Sequence, residues 1–124
     1  MGYEIVTNNP EVKAKYKEVL FIDGGFEDVL IKVRDLVHGG RELINHPLGA
    51  SIRMIFSPYR SIVISAENTN TNNYHIEAIE NSIENYKKHM EVRKPDIEHR
   101  EDYALIDGEL LKSALEEFKR LNSN

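Results

Sequence analysis

The sequence predicts one α/β domain spanning residues 1–124, with a mostly parallel sheet of four to five strands and helices on both faces, of Rossmann-like or flavodoxin-like type. Three observations carry this expectation. Short runs of strand composition alternate along the chain with segments of helical period, which is the pattern of right-handed crossover connections. The run "EVLFID" from Glu18 to Asp23 is apolar without alternation, as in a strand covered on both faces. A chain of 124 residues also suffices for one core that buries about two-thirds of the unfolded surface.

The elements follow in order. "YEIVT" has strand composition and stops at Asn8-Asn9-Pro10, where Asn9 caps a short helix whose first position is Pro10. After the second strand come Gly24 and Gly25. Phe26, Val29, Leu30, Val33, Leu36 and Val37 then fall on one helical face that ends at Gly39-Gly40. "ELIN" is expected as a short third strand and "RSIVIS" as a fourth, separated by a long excursion from His46-Pro47 to Pro58-Tyr59. "AENTNTNN" is a loop of turn formers. Ile76, Ile79, Ile83, Tyr86 and Met90 mark a second amphipathic helix. Residues 91–102, mixed in charge and containing Pro95, are expected as an exposed linker. "YALID" is read as a fifth strand, with Asp107 capping a last helix whose face is Leu110, Leu111, Ala114, Leu115, Phe118 and Leu121.

Composition narrows the chemistry. The sequence contains no cysteine, so disulfides, thiolate nucleophiles and Cys-based metal sites are excluded from it. A net charge of −5 with dispersed Lys and Arg argues against a nucleic-acid groove. No apolar run is long enough to span a bilayer, and "MGYEIVTNNP" has neither a secretory nor a myristoylation pattern, so the expected location is the cytoplasm. The five histidines lack paired metal-ligand spacing, and no metal or cofactor is expected.

In a parallel sheet the loops after the strand carboxyl ends share one rim, where ligands usually bind. That rule gathers Asn8, Asn9, Asp23, Gly24, Gly25, His46 and Ser65 as candidate functional residues, with Arg53 reaching over from the excursion. The Asp23-Gly24-Gly25 turn enters a helix and is suited to an anion, although a plain tight turn accounts for it better without a fuller glycine motif or a P-loop lysine. His46 precedes a proline that biases its backbone towards an extended form, and a structural histidine bonded to backbone accounts for it somewhat better than a ligand-binding one, as an ion pair within the protein accounts for Arg53 equally well. Arg60 and Ser61, at the start of the fourth strand, are expected on the rim opposite Ser65, anchoring the loop. The serines lack a nucleophile elbow, and the acidic residues of the second amphipathic helix belong to a solvated face.

Four stretches, "IVTNNPEVKAKY", "DVLIKVRDLVHGG", "LINHPLGASIRM…SPYRSIVIS" and "LIDGELLKSALEEF", together resemble the GrdX family, small proteins named for their place among glycine reductase genes. The resemblance implies a setting in anaerobic bacteria that reduce glycine, sarcosine or betaine through a selenoprotein complex and make acetyl phosphate. It also implies an accessory role, with no catalytic residues to carry over. Components of that reductase complex, a small anionic ligand at the rim and a second copy of the chain are the partners to consider. The rival expectation is a small enzyme acting on an acyl phosphate or nucleotide, with His46 as acid or base and Arg53 as the anion clamp.

Overall fold

β1 (Tyr3–Thr7), β2 (Val19–Phe21) and β3 (Ser61–Ser65) form a three-stranded sheet in the order β2-β1-β3. The computed structural model describes residues 2–49, 52–69 and 73–122, without the side chains of residues 52 and 53. The strands are joined and covered by α1 (Pro10–Lys15), α2 (Phe26–His38), a 3₁₀ turn (Ile52–Phe56), α3 (Asn73–Val92) and α4 (Arg100–Asn122).

Alternation along the strands sorts the core into two layers. Val6, Ile62 and Ile64 face α2 and α3, where Phe26, Val29, Leu30, Val33, Ile79, Ile83 and Tyr86 are buried against them. The Phe26 and Tyr86 rings stack with centroids 4.7 Å apart and lock the two helices together. Ile5 and Val63 point the other way, onto Val12 of α1 and Leu111 and Leu115 of α4. Every side chain of β3 is therefore covered, which is why "SIVIS" reads as an uninterrupted buried run.

The expected four- to five-stranded, mostly parallel sheet is not what forms. β1 and β2 are parallel, but β3 is antiparallel to β1, with Thr7 opposite Ser61 and Tyr3 opposite Ser65. "ELIN" shrinks to a single bridge, Leu43 opposite Ile64, on the outer edge of β3. Two backbone bonds hold it, Ile44 N–H to Val63 O and Ser65 N–H to Glu42 O, both 2.9 Å. The next rungs are taken by side chains: Ser65 Oγ accepts from Glu42 N–H and Asn45 Oδ1 accepts from Val63 N–H, so the ladder ends there. Leu43 N–H, facing away from the sheet, donates to His75 Nδ1 of α3, which closes the edge to further strands.

The direction of β3 follows from the excursion. Its start and its end lie at the same end of the sheet, because the Arg60 guanidinium donates to the carbonyls of both His46 and Pro47. A chain that leaves and re-enters at one rim must run back antiparallel. "YALID" is likewise no strand. It lies inside α4, whose buried positions Ala104, Asp107, Leu111, Leu115 and Phe118 keep one helical period throughout. The charged segment divides: Glu91 and Val92 end α3, Arg100 to Asp102 begin α4, and residues 93–99 connect them.

Candidate functional site

The mixed strand directions decide which residues meet. β1 and β2 end at the rim where β3 begins, so Asn8, Asn9, Asp23, Gly24 and Gly25 share that rim with Arg60 and Ser61. Ser65 lies at the opposite end beside Tyr3, away from the other candidates. There it is buried, accepting from Glu42 N–H and donating to Glu67 O. Arg60 and Ser61 do lie opposite Ser65, and in doing so they replace it at the rim.

At the centre of the rim sits Asp107, an acid with no solvent exposure, brought in by the buried face of α4. Its Oδ1 accepts from Ser61 N–H at 2.9 Å and stands 3.9 Å from Arg60 Nη1. Its Oδ2 accepts from Ser61 Oγ at 2.7 Å and from Asn9 Nδ2 at 3.0 Å. A carboxylate only accepts, so the direction of the neighbouring bonds is fixed. Asn9 N–H donates to Thr7 Oγ1, Thr7 O–H donates to Ser61 Oγ, and Ser61 O–H donates to Asp107. One chain of donors from β1 thus converges on a single carboxylate of α4.

Both rim asparagines turn inward. Asn9 Nδ2 spends its second hydrogen on Ala104 O, and its Oδ1 caps α1 by accepting from Glu11 N–H. Asn8 Nδ2 donates to Gly24 O and Pro58 O, while its Oδ1 accepts from Arg60 N–H, so one side chain ties β1, the glycine turn and the end of the excursion. Among the described residues no buried side-chain nitrogen or oxygen lacks a partner.

Arg60, itself buried, closes the excursion. It holds the His46 and Pro47 carbonyls, and Gly49 lies over its guanidinium with φ +76, a left-handed turn position that glycine adopts without strain. Burial lowers the Arg60 pKa and the Asp107 charge raises it, and the guanidinium stays a cation. His46 is exposed, and its Nδ1 accepts from Leu48 N–H, which fixes the hydrogen of the neutral ring on Nε2. Its pKa is lowered from the ordinary value, first by partial desolvation of the ring against the protein and then by the Arg60 charge. The ring borders a shallow cleft of about 380 Å³ lined by Ile44, Asn45, Ala114, Glu117, Phe118 and Leu121.

Asp23, Gly24 and Gly25 are exposed at the start of α2. The anion at this helix end is the protein's own: Asp28 Oδ2 accepts from Gly25 N–H at 2.8 Å, and any Cβ at Gly24 would run into the same carboxylate. Arg53 has its backbone in the 3₁₀ turn, and its side chain lies outside the described residues. The sequence reading missed the central roles of Arg60, Ser61 and Asp107. A signal for Asp107 was present, since it falls in step with Ala104, Leu111 and Leu115, and an acid in a helix's apolar stripe asks for buried donors. Among the described residues no group of three or more His, Asp or Glu side chains is placed to hold a metal ion, and no helix is long and apolar enough to cross a membrane.

Fold and rim together define a small α/β protein whose strand-end polar residues are bound into an internal network. The chain belongs to the GrdX-like protein family, whose model matches residues 4–116. No curated protein and no solved structure matches it.

Proposed function

We propose that this protein is an accessory of the glycine, sarcosine and betaine reductase system that acts by binding and not by catalysis. The observation that carries the reading is the inward saturation of the rim: Asn8, Asn9, Ser61 and Asp107 direct their side-chain hydrogen bonds to the protein itself. A catalytic group must keep a lone pair or a proton for its substrate. Family membership supports the setting, and a sequence without cysteine is consistent with a role outside the thiol and selenol chemistry of the reductase subunits. A tagged copy expressed in glycine-grown cells should retain a reductase component through washing. Recovery of none, together with no thermal shift from acyl phosphates or amino acids, would overturn both the partner form and the small-anion form of this reading.

One observation favours a second reading. His46 has a fixed neutral tautomer and borders an open cleft, as an acid or base acting on an acyl phosphate or nucleotide would. His46→Ala tests it directly: unchanged ligand affinity and turnover leave that mechanism without a residue.

A further inference from the structure

We infer that a second copy of this chain docks antiparallel on the face of α4 that carries Glu101, Leu105, Gly108 and Lys112. The inference is independent of the reductase reading. These four residues are spaced four, three and four apart, so they share one stripe of the helix, beside the buried stripe of Ala104, Asp107 and Leu111. Leu105 is 60% exposed. Gly108 is the anomaly. Glycine in a helix interior is unfavourable relative to alanine, and a Cβ built there would meet nothing within 4 Å, so packing within the chain does not demand it.

Gly108 opens a notch of about 110 Å³ between α4 and α1, whose walls are Val12, Tyr16, Ala104, Leu105 and Gly108 itself together with the charged Glu11, Lys15 and Glu109. The notch is open to solvent on one side, and its volume leaves room for a branched aliphatic side chain laid against Val12, Tyr16 and Ala104. The chain thus carries a projecting leucine and a leucine-sized notch less than one turn apart. A two-fold axis passing between residues 106 and 107 makes them complementary: Leu105 of each copy enters the other's Gly108 notch. The same axis sets Glu101 beside Lys112 of the second copy, and Lys112 beside its Glu101. A parallel pairing would stack leucine on leucine, glutamate on glutamate and lysine on lysine. The net charge of −5 opposes association in general, so the two Glu–Lys pairs select the orientation.

Sedimentation equilibrium on the full chain tests this. The mass should rise with concentration from 14.3 kDa towards twice that value, and added salt should lower it. Leu105→Lys should weaken dimerisation by about a hundredfold, because the change strikes both halves of the interface. Gly108→Ala should raise the thermal midpoint yet weaken the dimer, which separates a filled notch from a damaged fold. Glu101→Lys and Lys112→Glu should each weaken association, and the double variant should restore it. A monomer at every concentration, a dimer indifferent to Leu105→Lys, or a double reversal that fails to restore association would overturn the proposal, leaving the notch to a partner of another sequence.

Discussion

Replacing Asp107 by alanine should cost about 3–5 kcal/mol of folding stability. The structure supplies the terms. The change removes three hydrogen bonds, from Ser61 N–H at 2.9 Å, Ser61 Oγ at 2.7 Å and Asn9 Nδ2 at 3.0 Å, all in a region closed to solvent. A buried donor left without an acceptor costs about 1–3 kcal/mol. Removing one partner of a buried charge pair costs about 3–5 kcal/mol, chiefly through the charge left behind, here Arg60. These costs overlap, because the Ser61 hydroxyl can turn and water can enter the vacated space, so the larger single figure sets the scale. Against a total stability of about 5–15 kcal/mol, the loss is a large fraction of the fold. Urea unfolding followed by circular dichroism should show a lower midpoint at unchanged slope, with Tm down by roughly 10–20 °C. Asp107→Asn keeps the shape and one acceptor and should fall between. Ser113→Ala, on the exposed side of the same helix, should stay within about 0.5 kcal/mol of the parent. A loss below about 1 kcal/mol for Asp107→Ala would place this carboxylate in the range of exposed ion pairs and refute its role as the fastening of α4.

His46 should titrate below 6.5, the ordinary histidine value, in a proton NMR titration. The unfolded chain then binds the extra proton first, so its contribution is fully present above pH 6.5 and lost as pH falls through the folded value; His46→Gln should remove that slope. His99 moves the other way through its bond to Asp96, so a titration resolved by residue is needed to separate the two. Tyr86 is pushed up to about 12 by burial and the charges of Glu27 and Asp28, so tyrosinate absorbance should find it late. Its contribution is whole below pH 10, the ordinary tyrosine value, and is lost as pH rises towards 12; Glu27→Gln should bring the titration down. Asp28→Ala should cost about 1 kcal/mol through the loss of its bond to Gly25 N–H, measured by thermal unfolding. Gly49→Ala should cost about 1–2 kcal/mol, since φ is +76 while the space over Arg60 is ordinary contact distance.

α2 was legible because its stripe is periodic and its glycine end is unambiguous. Of its predicted stripe, Phe26, Val29, Leu30, Val33 and Val37 are buried and Leu36 is half-buried. The direction of β3 was not, because a fully buried strand presents the same continuous apolar run whichever way it runs. The deciding information sat in Arg60, whose bonds to the His46 and Pro47 carbonyls cross thirteen or more residues of chain. The same limit hid the site. An Asp that follows "YALI" and precedes Gly-Glu-Leu-Leu resembles a helix cap locally, and only the long-range meeting with Asn9 and Ser61 makes it a buried hub.

The direction of β3 also decides which residues are grouped at the rim. A parallel fourth strand brings Ser65 to the rim; the antiparallel one brings Arg60 and Ser61, and with them the reason for the rim's closure. Arg60 is a cation with almost no solvent contact, so it requires an acid of comparable burial, and Asp107 is the acid that α4 delivers. Once that pair is set, the surrounding donors must point inward to satisfy the carboxylate. Asn9 and Ser61 are therefore engaged in fastening α4, and Asn8 in joining β1 to the glycine turn and the excursion. What α4 offers to the outside is its other side, where Leu105 and the Gly108 notch stand open.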